Sequence, residues 1–339
     1  MSIAKSWPHV SLGHFPTPLE PLDRLSRELG GPRLLLKRDD CTGLALGGNK
    51  TRKLEFLLAD ALRQDADTVI TAGGLQSNHV RQTAAAANKL GLRCHLVLQP
   101  YVNRHDDFYM ESGNLLLDGL LEATPHFCAA EVSRDSEMER IANVLRENGA
   151  TPYIIPGGGS NAVGGLGYAA ATEEIMLQGG ERGYDISSVV VPCSSGGTQG
   201  GLVAGFAKTG DAVDVIGVDV EKPGEALKRK VLEVATGTAG LLGLENTDLA
   251  GRLKLLSAYA GEGYGVPTVS MVEALRMLAR LEGIVLDPVY SGKAMAGLID
   301  LVRKRELPPD RDTVFIHTGG VPALFAYTPL FGRYAPTSV

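Results

Sequence analysis

Leu54, Leu57, Leu58, Ala61 and Leu62 recur at i, i+3, i+4, i+7 and i+8, and this single apolar face predicts a helix over roughly 50–64. The short run Thr68-Val69-Ile70-Thr71 predicts a buried strand that ends in Ala72-Gly73-Gly74. A helix opening near Ser77-Asn78-His79 carries Val80, Thr83, Ala84, Ala87 and Leu90, and Cys94-His95-Leu96-Val97-Leu98 follows as a strand. A loop and a helix around 108–121 lead to a short strand near His126-Phe127-Cys128, then a helix at roughly 134–148, then the strand Tyr153-Ile154-Ile155. The alternation resumes after Gly157-Gly158-Gly159. Strands are expected at 188–192, 215–219 and 313–317, with helices at roughly 198–208, 224–237, 270–282 and 291–304. Ser270-Met271-Val272-Glu273 has the spacing of a capping box at the start of the third of these helices. Upstream, Pro16-Thr17-Pro18-Leu19 is a rigid extended turn before a short strand, Leu34–Lys37.

Strands and helices alternating across short connections predict parallel sheet covered by helices. The glycine run 157–159 is the expected seam between two such regions. A length of 339 residues is ample for two cores, and 42 glycines suit many tight strand–helix turns. The net charge of −6 argues against nucleic acid or an anionic membrane as the partner. The first residues hold no signal-like apolar run and no stretch approaches a membrane span. Cys41, Cys94, Cys128 and Cys193 are far apart with no Cys-x-x-Cys pair, so free thiols in the cytoplasm are expected. No spacing of His and carboxylates predicts a metal site.

Within this frame Gly47-Gly48-Asn49-Lys50 stands out. The glycines allow a tight turn, Asn49 is the expected N-cap, and Lys50 falls in the first helical turn. That end of a helix disfavours a cation, so the amine loses its proton more readily, as covalent chemistry with an aldehyde requires. Four other turns follow or open apolar elements, where open α/β sheets bind ligands. Ser195-Gly196-Gly197-Thr198, between a strand and a helix, is built to cradle a phosphate. Ser77, Asn78 and His79 open a second helix, Tyr290 and Ser291 a third, and His317-Thr318-Gly319-Gly320 ends the last strand. Tyr264 lies on a glycine-flanked loop. The spacing from Gly43 to Lys50 misses a nucleotide-binding P-loop by one residue. A reactive lysine, a phosphate cradle and an acceptor for a ring nitrogen together point to pyridoxal 5'-phosphate.

Four stretches carry a family resemblance: Gly47 to Phe56, Gln76 to Ala84, Leu286 to Leu298 and His317 to Phe325. Together they make the chain, from about Pro16 to Tyr327, similar to the D-cysteine desulfhydrase and 1-aminocyclopropane-1-carboxylate deaminase family. The resemblance implies the tryptophan synthase β-like fold (fold type II), α/β with two open, twisted, mostly parallel sheets flanked by helices. It implies a large domain from 1–49 and 160–339, a small domain from 50–159, a pyridoxal phosphate between them, and a homodimer. By motif, Lys50 corresponds to the lysine bonded to the cofactor, and Asn78 to the donor to its ring hydroxyl. Ser195, Gly196, Gly197 and Thr198 correspond to the phosphate loop, and Lys53 to a second basic residue nearby. Ser77, His79, Tyr264, Tyr290 and Ser291 correspond to positions facing the substrate, with Lys50, Ser77 and Tyr290 as the catalytic candidates. Deaminases of the family resemble one another in having Glu after the motif tyrosine and Leu after the last-strand histidine. This chain has Ser291 and Thr318, which leave the cofactor ring a weaker electron sink and favour expulsion of a β-leaving group. The implied reaction is α,β-elimination of D-cysteine to pyruvate, ammonia and hydrogen sulfide, with L-cysteate as the alternative substrate and the cyclopropane amino acid as the less favoured one. The only other partner expected is this small sulfur-containing amino acid.

Overall fold

Ten strands divide between two sheets in the computed structural model, which describes residues 2–221, 224–245 and 247–331. In chain order the elements are α1 Ile3–Ser6, β1 Leu19–Pro21, α2 Asp23–Leu29, β2 Leu34–Lys37, α3 Lys50–Arg63, β3 Thr68–Gly74, α4 Asn78–Leu90 and β4 Arg93–Gln99. Then come α5 Asp107–Met110, α6 Gly113–Leu120, β5 Thr124–Phe127, α7 Arg134–Glu147, β6 Pro152–Ile155, α8 Ala162–Glu181, β7 Ile186–Cys193 and α9 Gly197–Thr209. The chain continues through β8 Asp214–Asp219, α10 Glu225–Leu241, β9 Leu253–Leu256, α11 Val269–Glu282, α12 Ser291–Arg303, β10 Asp312–Ile316 and α13 Val321–Phe325.

The larger sheet has the order β1-β2-β10-β7-β8-β9 and the smaller one β5-β4-β3-β6. All neighbours run parallel except β1 against β2. The central strands β3, β7 and β10 are buried along their whole length, as expected when helices cover both faces. One core lies between the large sheet and α8, α9 and α10, and another on its opposite face beneath α11 and α12. A third joins α3 and α4 to the small sheet. The α/β architecture with two mostly parallel sheets is the one the sequence predicts.

Several local expectations change. The longest helix, α8, was not anticipated. Its first half, from Ala162 to Ala171, is apolar or small on every side and carries Gly164, Gly165 and Gly167, so it shows no helical stripe. Those glycines are where neighbours press in: a Cβ at Gly167 would lie 2.2 Å from the Arg52 carbonyl on α3, and one at Gly165 2.0 Å from Thr238 Oγ1 on α10. The helix expected over 108–121 is two, broken at Gly113, whose φ is +63°. Helix α11 begins at Val269 with Thr268 Oγ1 accepting from Met271 N–H (3.2 Å), so the capping box at Ser270 does not form; Glu273 pairs with Arg303 instead. Leu62, placed on the apolar face of α3, is exposed, while Leu54, Leu57, Leu58 and Ala61 are buried. Strands β1 and β9 and helix α2 are additions at the edges of the large sheet.

Among the described residues no helix is long and apolar enough to cross a membrane, and no group of His, Cys, Asp or Glu could hold a metal ion. The four cysteines are free.

Candidate active site

The carboxyl ends of β3, β6, β7, β8 and β10 open onto one cavity of about 300 Å³, as the rule for open α/β sheets predicts. Lys50 enters it from the first turn of α3. The preceding turn needs its glycines. Gly47 has φ +70°, and a Cβ there would lie 2.0 Å from the Asp40 carbonyl; Gly48 has φ +133° and abuts both Gln82 and Gly319. Asn49 does not cap α3 through its side chain. Its Nδ2 donates instead to Thr198 Oγ1 (3.0 Å), tying the lysine turn to the glycine-rich turn after β7. The orphan N–H of Thr51 is met by Gln82 Oε1 (3.1 Å), whose Nε2 donates to the Asn78 carbonyl (2.9 Å). The openings of α3 and α4 are thus pinned together. Burial lowers the Lys50 amine to about 8.

At the start of α4, Ser77 is the N-cap, its Oγ accepting from Val80 N–H. Asn78 is oriented by two buried neighbours. Its Oδ1 accepts from Asn114 Nδ2 (2.9 Å) and from Arg81 Nη1 (3.4 Å), leaving its amide N–H groups for the cavity. Asn114 also accepts from Arg81 (3.0 Å) and donates to the Gln76 carbonyl (2.9 Å), and Arg81 Nη2 reaches the Gly47 carbonyl (2.6 Å). His79 lines the wall, but its Nε2 pairs with Thr71 Oγ1 (2.7 Å); burial and then Lys50 hold it well below the usual histidine value, hence neutral.

The third wall is the turn from β7 into α9. Gly196 has φ +83° and Gly197 opens the helix. Ser160 Oγ bonds Ser195 Oγ (2.7 Å) and accepts from Gly197 N–H (3.2 Å). A Cβ on Gly197 would sit 2.4 Å from Ser160 Oγ and 2.6 Å from Lys53 Nζ. Lys53 is fully buried, donates to the Gly158 carbonyl (3.0 Å), and is pushed well below the usual lysine value by burial and by Lys50. A 13-residue helix N-terminus, hydroxyls from Ser195 and Thr198 and the nearby lysine fit a phosphate.

Tyr264 and Tyr290 close the fourth side, their hydroxyls 2.5 Å apart and both raised above the usual phenol value, chiefly by burial. Both remain neutral donors across neutral pH. Thr318 faces the cavity, and its carbonyl accepts from Asn49 N–H (3.0 Å). Ser291 is not on the cavity wall. It is fully buried in the first turn of α12, with its hydroxyl donating to Asp287 Oδ1 (2.5 Å) and accepting from Asp287 N–H. His317 is a satisfied core residue, bonded to the Val285 carbonyl (3.0 Å).

The cavity therefore gathers Lys50, Ser77, Asn78, His79, Ser195, Gly196, Thr198, Tyr264, Tyr290 and Thr318, with Gly197 behind the rim and Ser291 turned away. Residues that sequence reasoning missed are Tyr101, Arg134, Cys193, Glu221 and Lys230 on the wall, and Asn114 and Ser160 behind it. Arg134 lies over the Tyr101 ring at 4.8 Å. None of these sits in a motif; only the fold brings them to the strand ends.

Comparison with known proteins agrees with this geometry. Residues 10–319 match the family described as pyridoxal-phosphate dependent enzyme. The chain is 46% identical over 323 residues to D-cysteine desulfhydrase of Salmonella typhi and, equally, to that of Salmonella newport (strain SL254), covering 95% of this chain and 97% of each. A crystal structure of an ACC deaminase homologue superposes with a TM-score of 0.88 at 39% identity, covering 97% of this chain and 96% of that one. A crystal structure of a T.th. threonine deaminase shares the fold with a TM-score of 0.64 at 20% identity over 94% of both chains.

Proposed function

The chain belongs to the pyridoxal-phosphate dependent enzymes, and from that premise we propose that it eliminates sulfide from D-cysteine, consuming one water and releasing pyruvate, ammonia and hydrogen sulfide. The observation that carries the reading is the meeting of Lys50 with the turn 195–198 in one cavity, within a chain 46% identical to the Salmonella D-cysteine desulfhydrases. The cofactor, when bound, supplies an electron sink for the carbanion formed at the substrate Cα.

The protein's own groups do the rest. At pH 7.5 an amine of pKa about 8 is about one-quarter neutral, against about one in a thousand at the ordinary lysine value. Lys50 would therefore be the residue that holds the cofactor by its aldehyde, and its neutral amine is the first candidate to remove the Cα proton. The N-terminal turns of α9 and α4 would hold two anions, the cofactor phosphate at Ser195–Thr198 and the substrate carboxylate at Ser77 and Asn78. Asn78, its amide oriented by Asn114, would donate to the ring hydroxyl. Tyr290 and Tyr264, held neutral, face the departing sulfur. Sulfide is a good leaving group, so a weak acid suffices.

Thr318 lines the cavity and Ser291 does not, so Thr318 would be the neutral hydroxyl that meets the ring nitrogen. A threonine there does not hold that nitrogen protonated as a carboxylate would, which favours early loss of the β-substituent over a long-lived carbanion. The four free thiols support a cytoplasmic setting, and a homodimer is the proposed assembly.

The test is pyruvate release from D-cysteine, L-cysteate and the cyclopropane amino acid in parallel. D-cysteine should give the highest kcat/KM; a higher value for either of the others would replace this reading with the corresponding one.

A further inference from the structure

Like Lys53 on α3, Lys293 is a buried lysine in the first turn of a helix, and the proposed chemistry does not use Lys293. It is fully buried at the start of α12, at the end of the helix dipole that disfavours a cation. Among the described residues no carboxylate lies within ion-pair distance of it. Its ammonium instead donates to three backbone carbonyls: Ala260 (2.7 Å), Gly263 (2.8 Å) and Val220 (3.4 Å). Rings of carbonyl oxygens are how proteins replace the hydration shell of a monovalent cation.

Each carbonyl belongs to a segment that reaches the cavity. Gly263 precedes Tyr264, Val220 precedes Glu221, and Lys293 itself is three residues beyond Tyr290. Burying a lysine is unfavourable unless its donors are satisfied, and removing it would take a donor from three carbonyls. A packing role alone would be met more cheaply by an apolar side chain.

We propose that the Lys293 ammonium is a built-in monovalent cation, clamping the carbonyls of Val220, Ala260 and Gly263 and thereby holding the Tyr264 hydroxyl against Tyr290. It is a positioning residue, acting through Tyr264. The proposal rests on the reading of this cavity as the lyase site.

The test compares wild type, Lys293→Met, Lys293→Ala, Tyr264→Phe and the Lys293→Met/Tyr264→Phe pair, each with its visible cofactor absorbance recorded beside kcat and KM. Lys293→Met should retain the absorbance and lose about tenfold or more in kcat, while adding less than about twofold to the loss already caused by Tyr264→Phe. Lys293→Ala should recover turnover in potassium or ammonium chloride but not in tetramethylammonium chloride, whose cation is too large for the cage. Wild type should turn over equally in all three salts, because its cage is already filled. The proposal is overturned by wild-type kcat in Lys293→Met, by additive losses in the paired variant, by equal rates of Lys293→Ala in all salts, or by a wild type that requires potassium. The last outcome does not depend on any variant folding. A wild type that binds no cofactor and makes no pyruvate would instead refute the lyase reading itself.

Discussion

Replacing Lys50 with methionine should make the cofactor-free protein more stable while abolishing turnover. Methionine keeps the stem of the side chain and removes the charge. Among the described residues the only hydrogen bond lost is a long one, from Nζ to Asn49 Oδ1 at 3.4 Å. The charge is costly because burial lowers the folded-state amine from 10.5 to about 8. Between those values the unfolded chain holds a proton that the folded chain has lost, so stability rises with pH across that window. Below about 8 the full cost is present, about 3.4 kcal/mol at 1.36 kcal/mol per pH unit. Lys50 opens onto the cavity, and solvent there reduces the expected gain to about 2–3 kcal/mol at pH 7. At pH 9.5 it should shrink to about 1.4 kcal/mol or less. Relief of neighbouring Lys53, which Lys50 depresses, acts in the same direction. Urea unfolding of the two cofactor-free proteins at pH 7.0 and 9.5 measures both numbers. A variant no more stable than wild type at pH 7, or a gain that does not shrink at pH 9.5, would refute the reasoning.

Gly197→Ala places a methyl group 2.4 Å from Ser160 Oγ and 2.6 Å from Lys53 Nζ, so cofactor affinity in an absorbance titration should fall about tenfold or more with far-ultraviolet circular dichroism unchanged. Asn114→Ala removes three buried side-chain hydrogen bonds, to Gln76, Asn78 and Arg81, and should cost about 2–4 kcal/mol in urea while also weakening cofactor binding. Arg52→Met leaves buried Asp39 without its guanidinium and partly buried Glu174 with Lys37 alone, so a loss of about 3–5 kcal/mol is expected in the same assay, with the visible spectrum of whatever folds unaltered.

What the sequence made legible follows from periodicity. Helices α3 and α4 repeat their apolar residues at helical spacing, although almost every residue of 51–59 and 78–87 is buried, and β3, β7 and β10 are short apolar runs closed by turns, so their residues announce them. Helix α8 packs against α3, α9 and α10, and the small and apolar residues of its first half lie all round it, which erases the stripe; Gly164, Gly165 and Gly167, usual signs of a break, are there for close approach. Most of the site was legible because each motif sits at a strand end or a helix start, and the parallel sheets bring such ends together. Ser291 shows the limit. Asp287 accepts from the N–H groups of Val289, Tyr290 and Ser291, and that local turn sends Tyr290 into the cavity and Ser291 beneath it. Asn114 and Arg134 lie outside every motif, and only the placement of α6 and α7 brings them to the site.

The proposed chemistry stands on a covalent bond between one amine and the cofactor. Reduction of the purified protein with borohydride, tryptic digestion and mass spectrometry locate that bond directly. The phosphopyridoxyl group should be found on the peptide containing Lys50. Its appearance on Lys53, Lys293 or any other lysine, or on none, would contradict that chemistry.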